Sequence, residues 1–357
     1  MLTPRAQLAQ INRMPAVIAR VDRVQLPDRS DGTTWNDELI DWLCHLRISQ
    51  GCSPLTLERY ADVVRTYLAW VFGAGLDPRT MRHDDFDSWQ RHLYIDRQQA
   101  ERTRRDALSA VRTWYNWRVA SGRAQANPST GARGPRVPQR IPQRYSTAEL
   151  RKLFDAARVV RRSAVRNVAL LSLAYATGAR RAELVGMDLD RLHLGQRVGR
   201  AKFLGKGCKE REVSFEGAAV TALRDWLVER DALGVEFAEP QALFVTSRNS
   251  GRGAAGGRLT VYSVDQLMDR LAQRAGLPRG GIHLIRSSYA TDLFDQGEPL
   301  EVIQELLGHA KIETTRRYIV LSERYRSTRM ASARLGVVIH GAPSASAPLW
   351  ARKKLTQ

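Results

Sequence analysis

The chain has 357 residues, 43% hydrophobic and 26% charged, a composition that excludes intrinsic disorder and a length beyond what one hydrophobic core ordinarily serves. Its 56 Lys and Arg against 37 Asp and Glu leave a formal net charge of +19, an attraction for polyanions that does not depend on their sequence. No apolar run spans a bilayer, the start MLTPRAQLAQINR lacks the core of a secretory signal, and Cys44, Cys52 and Cys208 lack disulfide or zinc spacing.

A cytoplasmic protein is therefore expected, with no membrane attachment and no metal. Residues 1–34 are polar and weakly periodic and read as a flexible arm. From Trp35 the pattern turns helical, with Leu39, Leu43 and Leu46 on one face. Ser53-Pro54 is a helix start; Tyr60, Val63, Val64, Tyr67, Leu68 and Val71 form the next apolar face, which Gly73 and Gly75 end. Two more helices are predicted over 84–99 and 102–121, so that 35–126 forms a small four-helix domain.

The segment NPSTGARGPRVPQRIPQRY, residues 127–145, holds four prolines, two glycines and four arginines and reads as an extended, exposed linker. Charge is unevenly spread. Residues 36–126 carry 13 basic and 12 acidic side chains, the linker four basic and none acidic, and residues 146–335 carry 31 against 22. Arg102, Arg104 and Arg105 on the last helix, and Arg133, Arg136, Arg140 and Arg144 in the linker, are candidate contacts to a phosphate backbone.

A second domain opens at Ser146, where Glu149 completes a capping box ahead of Leu150 and Phe154. An apolar helix over 167–177 stops at Gly178. Strands over 198–204 and 211–215 flank Gly205-Lys206-Gly207 and predict a β-hairpin. Helices follow over 218–232, 261–275, 286–294, 300–307 and 312–321. The Gly-rich stretch 250–257 has no Lys-Ser/Thr after it and reads as a surface loop, not a phosphate-binding loop.

Breaking a DNA phosphodiester without a metal requires cations for the non-bridging oxygens, a base for the nucleophile and an acid for the departing 5′-oxygen. Arginine suits the first task because its fork pairs bidentately with phosphate and stays charged. The second domain carries TGARRAEL (177–184), GKGCKER (205–211), HLIR (283–286), LGH (307–309) and TTRRY (314–318). Taken singly, each of these residues is ordinary: a surface arginine, a turn lysine, a capping histidine or a half-buried tyrosine.

In order and spacing, with Tyr318 nine residues after His309, these segments resemble the catalytic domain of the tyrosine recombinase family, the phage integrases and their Xer-like members. The resemblance covers residues 146–335, and more loosely the helical domain before the linker. It implies a mainly α fold: a four-helix, SAM-like core-binding domain, then a mostly helical catalytic domain with a small antiparallel sheet, the two closing on duplex DNA as a clamp.

The resemblance also implies roles. Arg180 and Arg286 would clamp the scissile phosphate, Lys206 would protonate the leaving 5′-hydroxyl, and His283 would position the phosphate and take the tyrosine proton. His309 would hydrogen-bond a non-bridging oxygen, Tyr318 would be the nucleophile, and Glu183 would orient the pocket around Arg180. Lys209 competes with Lys206 for the acid role, although Lys206 holds the family position. Ser287 stands where many members have a second histidine, and Ser214 where proline is frequent.

The expected activity is site-specific recombination through a 3′-phosphotyrosyl intermediate, needing neither ATP nor any other cofactor. The rival readings are a topoisomerase of the same chemistry and a catalytically silent DNA-binding accessory protein. The partners implied are a double-stranded recombination site, further copies of the chain in a tetramer, accessory DNA-bending proteins and the nucleoid. A tail helix over 319–335 and the apolar cluster Val337, Val338 and Ile339 are expected to dock on a neighbouring protomer. Residues 336–357 would form a tail. The sequence does not name the target site.

Overall fold

The computed structural model describes residues 14–22, 26, 34–136, 143–160, 163–204, 210–246, 255–316 and 318. The chain divides into two compact units, Met1–Gln139 and Arg140–Gln357, with the division inside the expected linker.

The first unit contains α1 (Met14–Val21), α2 (Trp35–Gln50), α3 (Pro54–Gly73), α4 (His83–Ile95) and α5 (Glu101–Ala120). Local chemistry sets their ends. The Thr34 side chain accepts from the Asp37 N–H at the start of α2, Ser53 does the same for Thr56 with Pro54 at the first helical position of α3, and Gly51 closes α2 at φ 63°. Trp42, Trp89, Trp114, Tyr67, Tyr115 and Phe86 fill the core, and the Tyr67 and Tyr115 hydroxyls bond each other at 2.9 Å.

Two sequence expectations change in this unit. The flexible arm over 1–34 does not hold for α1, whose Met14, Val17 and Val21 are buried in the same core. Arg20 also pairs with Asp62 at 2.6 Å and Glu58 at 3.2 Å on α3. A helix of eight residues has little stability of its own, so it is formed by this packing and leaves a faint periodic signal. The linker, too, is not free at its start. Asn127 Nδ2 donates to Asn116 and to the Arg112 carbonyl, Arg112 Nη2 reaches Ala132 O at 2.5 Å, and a Cβ on Gly134 would meet Leu108 Cδ2 at 3.3 Å.

The second unit contains α6 (Thr147–Arg158), α7 (Ala164–Thr177), α8 (Arg181–Val185), β1 (Leu192–Leu194), β2 (Val198–Leu204) and β3 (Glu210–Glu216). It continues with α9 (Ala218–Asp231), α10 (Val261–Arg274), α11 (Ile282–Asp295) and α12 (Leu300–Leu307). Residues 312–316 and 318 are also helical. The capping box read at Ser146 and Glu149 is formed, with both reciprocal bonds. Helix α7 buries Ala169, Leu170, Leu171, Leu173 and Ala174 against α6, α9 and α11, which explains its nearly continuous apolar sequence.

The sheet is antiparallel in the order β1-β2-β3, and strand β1 was absent from the sequence reading because three residues carry no readable alternation. Gly199, Ala201 and Phe203 on β2, with Val213 and Phe215 on β3, face the core, and Arg211 lies in phase with them opposite Phe203. Helix α11 begins at Ile282, one turn earlier than predicted. Of the Gly-rich stretch, residues 255–257 are described; Gly256 N donates to Thr246 O at 2.9 Å, so this end is tied to the fold.

The linker's far end is built into this unit as well. Tyr145 is 3% exposed, its N–H reaches Ser288 Oγ at 2.9 Å and its hydroxyl donates to Gly280 O at 2.9 Å. Arg144 pairs with Asp292 at 3.3 Å and Asp295 at 3.6 Å. The calls on Arg140, Lys206, Cys208, Lys209, the tail helix over 319–335 and residues 336–357 lie outside the described residues. Among the described residues no helix is long and apolar enough to cross a membrane.

Candidate active site

The site is built on the C-terminal end of α12. A helix leaves its last carbonyls without intrahelical donors and carries partial negative charge there. Three guanidinium groups take three successive carbonyls: Arg211 Nε donates to Leu306 O at 2.9 Å, Arg286 Nη2 to Leu307 O at 2.6 Å and Arg180 Nη2 to Gly308 O at 2.7 Å. Gly308 ends the helix at φ 62°, where a Cβ would lie 2.9 Å from Arg211 Cδ. Glycine is required there for both reasons.

Each arginine comes from a different element. Arg180 is the N-cap of α8, two residues after Gly178 closes α7 at φ 58° with Tyr289 and Leu307 packed against it. Arg286 sits in the second turn of α11, is 2% exposed and also donates to Gly178 O at 2.6 Å. Burial, and then the nearby Arg180, push its pKa down to about 10, so it remains a cation at neutral pH. Among the described residues, the carboxylate bonded to these arginines is Glu183. Its Oε1 accepts Arg180 Nη1 at 2.7 Å, and its Oε2 accepts the Arg180 backbone N–H at 2.7 Å and Arg211 Nη2 at 3.0 Å.

His309 follows directly. Its Nε2 lies 2.9 Å from Arg286 Nη2, which can only donate, so Nε2 is the unprotonated nitrogen and Nδ1–H donates to Thr315 Oγ1 at 2.9 Å. In this arrangement the imidazole orients Arg286; donating to a phosphate oxygen, the role implied by the family resemblance, requires Arg286 to release Nε2 and a proton to settle there. Burial and then the positive charge of Arg286 and Arg180 push its pKa down to about 3. The ordinary value is near 6.5.

Between these two values the unfolded chain binds a proton that the folded chain refuses, so stability falls as pH drops from about 6.5 towards 3. The thermal midpoint is therefore expected to decline from pH 7 to pH 4 more steeply in the native protein than in His309→Gln, which cannot titrate. Parallel declines in the two proteins would show that the imidazole is not held neutral.

Tyr318 is 4% exposed and packs with Ala290, Ile303 and Leu307, its ring stacked on His309 at 6.1 Å between centroids and 16° between planes. His283, in the first turn of α11, is exposed at the edge of the same group and contributes to lowering the His309 pKa. Ser287, one of the two departures from the family pattern, is fully buried and donates to the His283 carbonyl at 2.9 Å, which ties that turn together. The structure thus brings together Arg180, Glu183, His283, Arg286, His309 and Tyr318, with Lys206 outside the described residues.

The family pattern assigns Arg211 no role. Its signal was its phase: it alternates with Val213 and Phe215, which marks a core-facing position. The candidate DNA contacts separate into two groups. Arg102 and Arg105 on α5, and Arg133 and Arg136 in the linker, are exposed. Arg104 instead donates to Gln99 O and lies over the Tyr94 ring, and Arg144 is held in its ion pairs, so these two are engaged with protein. No group of His, Cys, Asp or Glu among the described residues is arranged to hold a metal ion.

Residues 143–324 match the phage integrase family, and residues 39–122 match its N-terminal SAM-like domain. The chain is 31% identical over 288 residues to the tyrosine recombinase XerC of Salmonella typhi, covering 78% of this chain and 88% of that protein. It is 33% identical over 286 residues to the tyrosine recombinase XerD of Corynebacterium glutamicum, covering 78% and 91%.

Its fold is that of the XerH site-specific recombinase in a post-cleavage complex with palindromic difH substrate, with a TM-score of 0.69 at 18% identity over 92% of this chain and 93% of the other. A lambda integrase (75–356) dimer bound to a COC′ core site gives a TM-score of 0.58 at 18% identity, over 78% and 93%. By sequence and by fold, the chain belongs to the phage integrase family, the tyrosine site-specific recombinases.

Proposed function

We propose that the protein exchanges DNA strands at a specific site through a covalent 3′-phosphotyrosyl intermediate at Tyr318. The observation that carries this reading is the convergence of Arg180, Arg286 and His309 on one helix end beside Tyr318. Arg180, Arg211 and Arg286 are cations set beside the one carboxylate Glu183, which bonds the first two, and this leaves a positive excess suited to a phosphodiester.

In the first step Tyr318 Oη attacks phosphorus, the bond to O5′ breaks and a phosphotyrosyl ester forms, while the tyrosine proton passes to His283 and Lys206 supplies a proton to the leaving 5′-oxygen. In the second, a 5′-hydroxyl from the partner strand attacks that ester and releases tyrosine. One ester replaces another at each step, so no energy source is consumed. Arg180 and Arg286 would stabilise charge on the non-bridging oxygens. A bound phosphate would also offset the positive charge of Arg286 and Arg180, which adds to burial in keeping His309 neutral, and so favour a proton on its ring.

A homotetramer on two synapsed sites, with exposed Arg102, Arg105, Arg133 and Arg136 on the DNA backbone, is the assembly we favour over a monomeric topoisomerase. Strand exchange between two site-bearing duplexes, beyond relaxation of one supercoiled circle, tests that choice. For the chemistry, Lys206→Ala is expected to slow adduct formation on a nicked duplex by about a hundredfold or more. A 5′-bridging phosphorothiolate, whose thiolate leaves without protonation, should recover most of that rate. Equal losses on the two substrates would remove Lys206 as the general acid.

A further inference from the structure

Arg211 is an arginine on the core face of a sheet. Its side chain is 9% exposed, its guanidinium lies 4.5 Å over the Phe203 ring, and its Nη1 is buried with no hydrogen-bond partner among the described residues. Burying a guanidinium with an unused donor is unfavourable, and an apolar residue would fill this place on β3 at lower cost. Packing therefore does not account for an arginine here.

Its bonds do. Arg211 spans Leu306 O at the end of α12 and Glu183 Oε2 on α8, so it links the strand that follows the hairpin tip to both structures that hold Arg180. Without it, Glu183 Oε2 would keep only the Arg180 backbone N–H, and a carboxylate with a single guanidinium within reach can turn into a bidentate pair with it. That pair would draw Arg180 towards Glu183 and neutralise it. With Arg211 joining the Arg180 backbone N–H on Oε2, only Oε1 takes the Arg180 guanidinium, whose Nη2 stays on Gly308 O.

We propose that Arg211 is a positioning residue for strand cleavage, which by occupying Glu183 and Leu306 O keeps the Arg180 guanidinium in place and its charge available to the scissile phosphate. This rests on the reading of Tyr318 as nucleophile and Arg180 as phosphate clamp.

The test compares two scissile groups in one nicked duplex, carrying a site selected by the protein from randomised DNA: the ordinary phosphate, and a methylphosphonate in which a neutral methyl replaces one charged oxygen. Arg211→Met keeps the bulk over Phe203 and removes the bonds. It is expected to bind the duplex like the native protein but to form adduct about a hundredfold more slowly on the phosphate. On the methylphosphonate, whose transition state carries one charge fewer, its deficit relative to the native protein should shrink to about tenfold or less.

Arg211→Lys, which keeps charge without the fork, should share the phosphate-specific deficit, and it carries the same comparison if the Met variant unfolds early in a thermal melt. Native rates for the variants on phosphate, or equal deficits on the two substrates, would overturn the proposal. Absence of adduct with the native protein on both substrates would instead defeat the reading of Tyr318, and this inference with it.

Discussion

Replacing Tyr318 by phenylalanine is expected to reduce covalent protein–DNA adduct by at least about ten-thousandfold while duplex binding persists. The substitution removes one oxygen. The ring contacts with Ala290, Ile303 and Leu307 and the stacking on His309 are all available to phenylalanine, so the local packing is retained. Other hydroxyls nearby are committed elsewhere: Ser287 to the His283 carbonyl, Thr315 to His309, and Tyr289 lies where burial raises its pKa. The measurement is a denaturing gel of labelled nicked duplex with and without protease. A protease-sensitive adduct from the Phe variant would assign the nucleophile to another residue.

The second large effect belongs to Arg286. Arg286→Ala should cost about a thousandfold or more in cleavage, because it removes a charge proposed to clamp the scissile phosphate. It should also destabilise the fold. The carbonyls of Gly178 and Leu307 lose their donors and the His309 Nε2 loses its partner. Leaving two buried carbonyls and an imidazole nitrogen without donors costs on the order of 3–5 kcal/mol in sum. In a domain of this size that corresponds to a fall of roughly 10 °C in the thermal midpoint.

Arg286→Lys separates the two consequences. A lysine keeps the charge and can reach one carbonyl, yet cannot bridge two carbonyls and an imidazole, so stability should recover further than activity. An alanine variant that cleaves within tenfold of the native rate would remove Arg286 from the mechanism.

The features legible in sequence were those fixed by neighbouring residues. The Ser146–Glu149 capping box, the Ser53-Pro54 start and the Gly178 stop each depend on backbone groups within four residues, and each is formed as read. The family motifs gave the order of the site residues. What escaped was set by distant partners. Helix α1 is held by α3, β1 by β2, and Arg211 has its meaning only through Leu306 and Glu183, which lie far from it in sequence. Likewise the tautomer of His309 follows from Arg286, 23 positions away, and Arg144 reads as a free linker cation until Asp292 and Asp295 are seen beside it.

The anchored ends of the linker bear on how DNA affinity adds up. Nineteen residues were read as linker, but Gly134 is packed on α5 and Arg144 is paired to α11, leaving ten peptide steps between fixed points. Fully extended, that span reaches about 35 Å. On the proposed reading, in which both units contact DNA, a unit tethered within that reach would meet the second stretch of duplex at a local concentration in the millimolar range. The two proposed grips would then multiply into one long residence. Lengthening the tether would dilute the second grip without altering either surface.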